Sequence, residues 1–531
     1  MLRAGSVRVV TREIAIQAIS DRSQVWDCLV IGGGATGLGT ALEAASRGYR
    51  VLLVERYDFA KGTSSRSTKL VHGGVRYLEK GDIALVRGAL HERGLLLRNA
   101  AHLAHPLAFV IPAYHYWQLP FYGTGLKIYD ALSGKLSLGK SRVLTRNKVV
   151  SQLPNVETSG LKGGIVYFDG QFDDSRLAIS LLRTIQDLGG YAANYAEVVS
   201  LIKSNNKLSG AVIRDTETGQ EYSVRAKMII NATGIFTDAV RDLDDPKAID
   251  IIAVAQGSHL VLPEKFLKSK SALMVPKTSD GRVLFAIPWH DRLVVGTTDF
   301  GVPKPVEEPQ IQRHEVDFIL SEAAKYLAED PTESDVLACY SGLRPLVKHA
   351  GAKSTAALSR DHTVLISESG LVTITGGKWT TYRHMGDDCL NHAEEVAGFE
   401  RRSSKTADLS LHGNSAAPEI FASPEHLAVY GTDRKSIEEM AKSDAKAGDR
   451  LHPRLPYLTA EAEWAIDHEM ARTIEDVLSR RTRALLLDSK AAVEAAPRVA
   501  RLLAEKLSRD AAWEAKQVQQ FSELAKHYSL D

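Results

Sequence analysis

The sequence predicts an α/β fold: a Rossmann-type dinucleotide-binding domain, an antiparallel-sheet domain and a C-terminal helical domain. Three observations carry it. A strand, a glycine turn and a helix follow one another early in the chain, many later β-like runs are interrupted by helices, and strand signals vanish after about Leu411. The 531 residues suit about three domains at ~150 residues each. With 44% hydrophobic and 25% charged residues the composition is that of a globular protein, which excludes disordered, collagen-like and small disulfide-rich classes. Lys and Arg number 66 against 65 Asp and Glu, so no overall field draws a nucleic acid. Cys28, Cys339 and Cys389 are too few and too scattered for a disulfide framework or a zinc site, which points to a reducing compartment.

Residues 1–25 contain Arg3, Arg8 and Arg12 but also Glu13 and Asp21, without the apolar stretch of a signal peptide. They read as a cytoplasmic lead-in with a short helix over Thr11–Ile19, a cleaved organelle presequence being the alternative. The uncharged stretch Cys28–Leu42 is shorter than the ~20 residues a bilayer requires and is full of glycine, so no spanning helix is expected.

The apolar run Cys28–Ile31 leads into Gly32-Gly-Gly34-Ala-Thr-Gly37 and then a helical stretch, Leu38–Arg47. A second apolar run, Val51–Val54, ends in Glu55, about 20 residues past the glycines, as a dinucleotide-binding βαβ unit requires. Gly32 supplies a tight turn, Gly34 lets backbone approach a pyrophosphate, and Gly37 lets helix pack on strand. The helix start offers free N–H groups and a positive dipole end. Glu55 suits ribose hydroxyls and would repel a 2′-phosphate, favouring FAD or NAD over NADP.

Next comes Gly62–Tyr77, an irregular segment dense in hydroxyls, adjacent glycines and cations. Thr63, Ser64, Ser65 and Ser67, with His72, Gly73 and Gly74, are candidate cofactor partners; a solvated Ser-rich loop is the plainer alternative. Further β-like runs cover 164–168, 211–214, 228–232, 259–262, 283–287, 293–297 and 371–375, with helices over Asp174–Leu188 and Glu315–Leu327. The strand from Met228 ends in Ala232-Thr233-Gly234, a second nucleotide-side element. The strand from Leu371 opens through Gly376-Gly377-Lys378-Trp379-Thr380 into a helix, whose first N–H groups suit the N1–C2=O edge of an isoalloxazine. Gly413–Pro424 reads as a linker, and the residues from Thr459 onward are rich in helix formers.

These segments, in this order, resemble the FAD-dependent glycerol-3-phosphate dehydrogenases of the D-amino-acid oxidase-like flavoprotein superfamily. The match is carried by Ile31–Gly37, Thr63–Ser65, Lys69-Leu-Val-His-Gly-Gly-Val-Arg-Tyr77, Gly257-Ser-His259, Gly296-Thr-Thr-Asp299, Tyr340-Ser-Gly-Leu-Arg-Pro345, Ser359-Arg-Asp361 and Gly376-Gly-Lys378. It is strong over Asp27–Ala397 and weaker in the C-terminal region. The resemblance implies oxidation of sn-glycerol 3-phosphate to dihydroxyacetone phosphate, with reduced FAD reoxidised by a membrane quinone. It also implies a discontinuous FAD domain (26–100, 165–256, 351–400), a substrate domain (101–164, 257–350) and a helical domain (411–531). A phosphate monoester needs positive charge and several donors; the matching residues are Arg76, Tyr77, Arg344, Arg360 and Lys378.

Oxidising a secondary alcohol also needs a base for the hydroxyl proton. His259 is the first candidate, since histidine titrates near neutrality; a strand-end histidine that only packs the site is its alternative. Arg344 or Lys378 suits a developing alkoxide, and Asp299 suits orienting a neighbour. His91, His102, His105, His115, His314, His349 and His384 form no persuasive metal set. The aromatic segment Tyr114–Tyr129, with an amphipathic helix expected over Leu126–Leu132, suits either a monotopic lipid contact or core packing. The enzyme is therefore expected in the cytoplasm, attached to the inner face of the cytoplasmic membrane, with a homodimer as a further expectation. The basic run Ser479–Arg483 reads as a helix end or a salt-bridged face, with a lipid-phosphate contact as a lesser reading. Rival functions are an oxidase making hydrogen peroxide, an amine or amino-acid oxidase, and a flavin-binding protein without turnover.

Overall fold

A computed structural model describes residues 10–75, 78, 81–348, 361–415 and 425–530. The first sheet runs in the order His362–Ile366, Val372–Gly376, Glu221–Asn231, Val25–Ile31, Val51–Val54 and Tyr191–Ala193. Its centre is parallel: Val25–Ile31 pairs with both Glu221–Asn231 and Val51–Val54 in that sense. An antiparallel hairpin, Ala196–Ser204 with Lys207–Asp215, extends it from Glu221–Asn231. The central strands are nearly continuous runs of Val, Ile and Leu, as burial on both faces demands. The helices Ala35–Ser46, Asp174–Asp187 and Tyr382–Val396 cover one face. The other face is covered by the lead-in, whose helix Arg12–Ser20 is capped by Thr11 and buries Ala15 and Ile19 against Trp26 and Leu29. Buried Arg12 fastens it, donating to Asp215 at 2.6 Å and to the Asn194 carbonyl at 3.0 Å.

The second sheet follows the order Phe300–Val302, Ile252–Pro263, Arg292–Gly296, Leu284–Trp289, Ala272–Val275, Ala104–Ala113, Gly163–Phe172 and Leu70–Val71. Ala338–Val347 joins it along Ile252–Pro263, and Arg142–Thr145 along Gly163–Phe172. The segment Gly163–Phe172, grouped with the nucleotide-binding stretches by the sequence reading, therefore belongs to this sheet. Ten consecutive antiparallel pairs with Ala104–Ala113 hold it there.

Beyond residue 425 the described chain is helical, principally Arg434–Ser443, Thr459–His468, Ser489–Lys506 and Ala511–Ala525. Its Ala- and Leu-rich core continues into Val261, Trp289, Val294 and Tyr340, so the helical domain packs directly on the second sheet. The basic run ends the helical turn Asp476–Arg481 and is salt-bridged, as its sequence reading has it; the lesser reading, a lipid-phosphate contact, does not hold. Arg480, Arg481 and Arg483 are buried, and their partners are Asp58, Glu475, Asp476 and Asp174. A desolvated run paired with internal carboxylates faces neither water nor lipid phosphate. The aromatic helix is longer than expected, Gln118–Ser133. It turns Leu126 and Tyr129 inward and leaves Trp117, Phe121 and Ile128 exposed. The uncharged run Asn99–Leu126 is divided between a strand and this helix, and among the described residues no helix is long and apolar enough to cross a membrane.

The joint between helical domain and first sheet contains a charged histidine. His412 lies between Asp187, 2.7 Å from Nδ1, and Asp433, 2.9 Å from Nε2. Burial disfavours its charge, but the two carboxylates outweigh that and raise its pKa to about 9 from an ordinary 6.5. A pKa raised on folding contributes stability that is complete below about 6.5 and lost as pH climbs through about 9, on the order of 3 kcal/mol. The thermal midpoint should therefore fall between pH 6.5 and 9.5, and His412→Gln should flatten much of that slope. Equal slopes in the two proteins would show that no proton is held at this joint.

Candidate active site

Three parallel strands of the first sheet end level with one another: Ile31 pairs with Val54 on one side and Asn231 on the other. Ligands of open α/β sheets bind outside such carboxyl ends. Gly32, at φ +110, turns so tightly that a Cβ there would meet the Ala232 carbonyl oxygen at 2.6 Å. A Cβ on Gly37 would lie 1.8 Å from the Gly32 oxygen, so the helix rides on the turn itself. Glu55 locks the turn: its two carboxylate oxygens accept from the Gly33 and Tyr57 N–H groups at 2.6 and 2.8 Å. Burial raises its pKa, and these two backbone bonds oppose the rise. The helix Ala35–Ser46 begins here, and the Ser64 hydroxyl accepts from its first N–H at 2.9 Å.

A cavity of about 1030 Å³ opens from this turn and reaches the second sheet. The Gly62–Gly74 stretch forms one wall. It is clamped by the third segment: Trp379 Nε1 donates to the Ser64 carbonyl at 2.9 Å, and Thr380 Oγ1 accepts from the His72 N–H at 3.2 Å. Gly376 and Gly377 both have positive φ, which turns the chain from the strand Val372–Gly376 towards Lys378 and the helix Tyr382–Val396.

The opposite wall is a face of the second sheet. His259 pairs with Tyr340, Gly257 with Gly342 and Ala255 with Arg344. Side chains two apart share a face, so His259 and Arg344 stand together, and a slip of one residue would remove both. Glycines make the room. A Cβ on Gly257 would sit 2.1 Å from the Arg344 guanidinium, and one on Gly296 would sit 2.5 Å from the His259 ring. The His259 ring stacks on Tyr340 at 4.7 Å, and its Nε2 lies 2.9 Å from Thr68 Oγ1. Its Nδ1 is buried without a hydrogen bond among the described residues. Burial, then the charges of Arg344 and Lys69, hold its pKa well below the usual value, so the ring is neutral at pH 7. Arg344 is aimed by Thr297 Oγ1 at 3.1 Å, the Thr298 carbonyl at 3.2 Å and Asp299 at 3.2 Å. Beneath them Glu315, fully buried, accepts from Gln256, Ser258, Thr298 and the Gln312 N–H.

Of the residues singled out from sequence, the cavity is bordered by Gly32, Gly34, Glu55, Thr63, Ser64, Ser67, His72, Gly74, Ala232, Thr233, Gly234, His259, Arg344 and the run Gly376–Thr380. Gly37, Ser65 and Gly73 do not border it. Gly37 and Gly73 are packing positions, Gly73 lying against Leu90 and Tyr129. Ser65 is buried, and its carbonyl accepts from Lys69 and Arg483. The hydroxyls of Thr63 and Ser67 are already bonded to the Leu343 carbonyl and to Asp174, so these two residues hold the loop. Arg76, Tyr77 and Arg360 lie outside the described residues. Sequence reasoning missed Thr68, Asp174, Glu315 and Arg483; Glu315 looks from sequence like an ordinary helix-capping acid, which it also is.

Residues 27–383 match the FAD dependent oxidoreductase family, and residues 404–514 match the C-terminal domain of alpha-glycerophosphate oxidase. The mitochondrial glycerol-3-phosphate dehydrogenase of Macaca fascicularis is 42% identical over 98% of this chain and 75% of its own length. The chain belongs to the glycerol-3-phosphate dehydrogenase family of FAD-dependent oxidoreductases. A solved relative in this family, the glycerol-3-phosphate dehydrogenase from Bacillus halodurans complexed with FAD, superposes with a TM-score of 0.79 at 28% identity over 98% of both chains. The L-alpha-glycerophosphate oxidase from Mycoplasma pneumoniae shares the fold, with a TM-score of 0.57 at 17% identity over 73% of this chain.

The glycine cradle fits a flavin dehydrogenase of this family, since it gives backbone access to a dinucleotide. Gly37→Ala presses a Cβ against a backbone oxygen that has no side chain to move aside. It should abolish flavin retention, read as the ratio of absorbance at 450 and 280 nm. Gly88→Ala, where a Cβ meets nothing within 4 Å, should keep the wild-type ratio. Full flavin content in Gly37→Ala would contradict the packing argument.

Proposed function

We propose that this protein oxidises sn-glycerol 3-phosphate to dihydroxyacetone phosphate with bound FAD and passes the electrons to a membrane quinone. The observation that carries this reading is the pairing of neutral, buried His259 with Arg344 on one wall of a cavity whose far wall is the dinucleotide turn. FAD held by the cradle of Gly32, Gly34, Glu55, Ala232–Gly234 and Gly376–Thr380 supplies the acceptor for the hydride from C2. The His259 ring takes the hydroxyl proton; its neutrality is what leaves a lone pair for it. Arg344, preset by Thr297, Thr298 and Asp299, stabilises the negative charge that grows on the substrate oxygen. Lys378 shares the cavity with it. Arg76, Tyr77 and Arg360, at the positions that match the family motifs, complete the phosphate site in this reading.

The membrane part of the proposal rests on the outer surface. Trp117, Phe121 and Ile128 recur at spacings of four and seven, one stripe along the helix Gln118–Ser133. Tyr116 and Val143 are exposed beside them, and the Lys162 ammonium lies 5.7 Å over the Tyr116 ring. An exposed aromatic stripe bordered by a lysine suits insertion to headgroup depth. A quinone drawn from the bilayer would then have a short path to the enzyme.

Substrate added without oxygen should bleach the flavin near 450 nm, and a quinone analogue should restore the colour faster than air. Fast recovery in air with peroxide would make the protein an oxidase instead, and no bleaching would remove the substrate. Arg344→Ala should lower kcat/KM by roughly 10²-fold or more. Gly257→Ala should mimic it while keeping its flavin, because only the flexible end of Arg344 must move. Wild-type kinetics in both variants would take Arg344 out of the substrate site.

A further inference from the structure

The loop that holds His259 is itself held by the C-terminal domain. Thr68, which contacts His259 Nε2, sits between Ser67 and Lys69, and both neighbours are tied to Asp174. Asp174 Oδ2 accepts from the Ser67 N–H at 3.0 Å, the Ser67 hydroxyl at 2.6 Å and Lys69 Nζ at 2.7 Å. Its Oδ1 accepts from Arg483 at 2.8 Å. The same guanidinium donates to the Ser65 carbonyl at 3.0 Å, as does Lys69 at 2.8 Å. Tyr340, on which His259 stacks, donates to the Ser67 carbonyl at 3.0 Å. Lys69 and Arg483 both lie against the Trp289 ring, at 5.2 and 5.5 Å, and Lys69 lies 5.1 Å from the Tyr340 ring. Side chains of Lys69, Asp174 and Arg483 have almost no contact with solvent. Lys69 and Arg483 each adopt positive φ, a conformation uncommon outside glycine, and it is kept only where surrounding contacts fix it.

We propose that Arg483, Asp174 and Lys69 are positioning residues for the oxidation: through them the C-terminal helical domain fixes the Ser65–Lys69 loop, and with it the Thr68 hydroxyl and Tyr340 ring that orient His259. The proposal rests on the reading of His259 as the base. It gives the helical domain a part in the reaction although none of its described residues borders the cavity. The Asp174 carboxylate is the hub, since it joins a cation of each part to the loop between them.

The relay has an electrostatic side as well as a mechanical one. Lys69 faces Asp174, Arg483, Asp173 and the rings of Trp289 and Tyr340; His259 faces Thr68, Tyr340, Arg344 and, beyond Tyr340, Lys69. Burial brings the Lys69 ammonium down to about 7, Asp174 opposing, so Lys69 is fully charged on the acid side where His259 would take up a proton. Its charge there helps keep the base neutral.

The test is anaerobic flavin reduction by saturating sn-glycerol 3-phosphate, followed against pH, in flavin-loaded protein. Lys69→Met leaves Asp174 paired with Arg483. It should slow reduction at least tenfold and move the acid limb of the rate to higher pH by about 0.5–1 unit, since a positive charge near the base is gone. Arg483→Met alone strands the buried Asp174 charge, so the charge-balanced pair Asp174→Asn with Arg483→Met is measured beside it; the pair should keep its flavin, reduce at least tenfold more slowly and leave KM within twofold. Arg483→Lys should recover part of the rate. Wild-type rate and pH limb in Lys69→Met and in the balanced pair would overturn the relay. His259→Asn separates the two readings: if it reduces flavin as wild type does, the base assignment fails whatever the relay variants show.

Discussion

Asp174 is a carboxylate with no access to water, and much of the molecule is arranged so that it can stay charged there. An unpaired buried ion costs several kcal/mol, which a native fold rarely carries uncompensated. Lys69 and Arg483 reach it from opposite ends of the sequence, and the Ser67 and Ser175 N–H groups fill its remaining sites. Asp58 is handled alike, by Arg480 and Arg481. These pairs, with the bidentate bonds of Arg176 to Glu469, place the helical domain against the sheets. Asp174 and Asp58 stand in the flavoprotein core and take arginines from the helical domain, while Arg176 and Glu469 run the other way, so the joint is fixed by charges on both sides.

That frame explains the division of labour across the cavity. The first sheet offers backbone: its strand ends, two glycine turns and a helix start present N–H groups, with little side-chain bulk in the way. The second sheet offers side chains, aligned by antiparallel register and given space by Gly257, Gly296 and Gly342. Glu315 and Asp174 lie under the two halves of that wall, one behind Arg344 and one behind His259. Both anchor hydroxyl and N–H groups and neither touches the cavity. The result is a cation aimed by fixed neighbours beside an uncharged imidazole, a combination that suits the proposed alcohol oxidation.

The nucleotide half was legible in the sequence because its signals are local. Glycines at 32, 34 and 37, an apolar strand on each side and Glu55 at the end are a contiguous pattern, and the structure brings them together in one turn at the strand ends. The C-terminal helical region was legible from the loss of strand signals. The wall that carries His259 and Arg344 was harder. The strand Ala338–Val347 carries Gly342, Arg344 and Pro345, which hide its alternation, so its pairing with Ile252–Pro263 does not follow from periodicity, and Tyr340 and Arg344 stood out only through family motifs. Residues 165–172 were grouped with the FAD domain although they continue the strand Gly163–Phe172 of the second sheet, because a strand's apolar pattern does not say which neighbour it pairs with. Arg480, Arg481 and Arg483 were legible as a helix end and a salt-bridged run, but not their burial, because acidic partners such as Asp174 and Asp58 lie more than 300 residues away.

The central claim is that a neutral, buried His259 takes the proton as hydride leaves C2. The measurement that bears on it most directly is the limiting rate of flavin bleaching with substrate carrying deuterium at C2, followed in the stopped flow from pH 5 to pH 8. A base held well below its ordinary pKa predicts a rate that is slowed by the deuterium and stays level through pH 6.5. A rate indifferent to the label, or one already halved at pH 6.5 as for an unperturbed histidine, would contradict it.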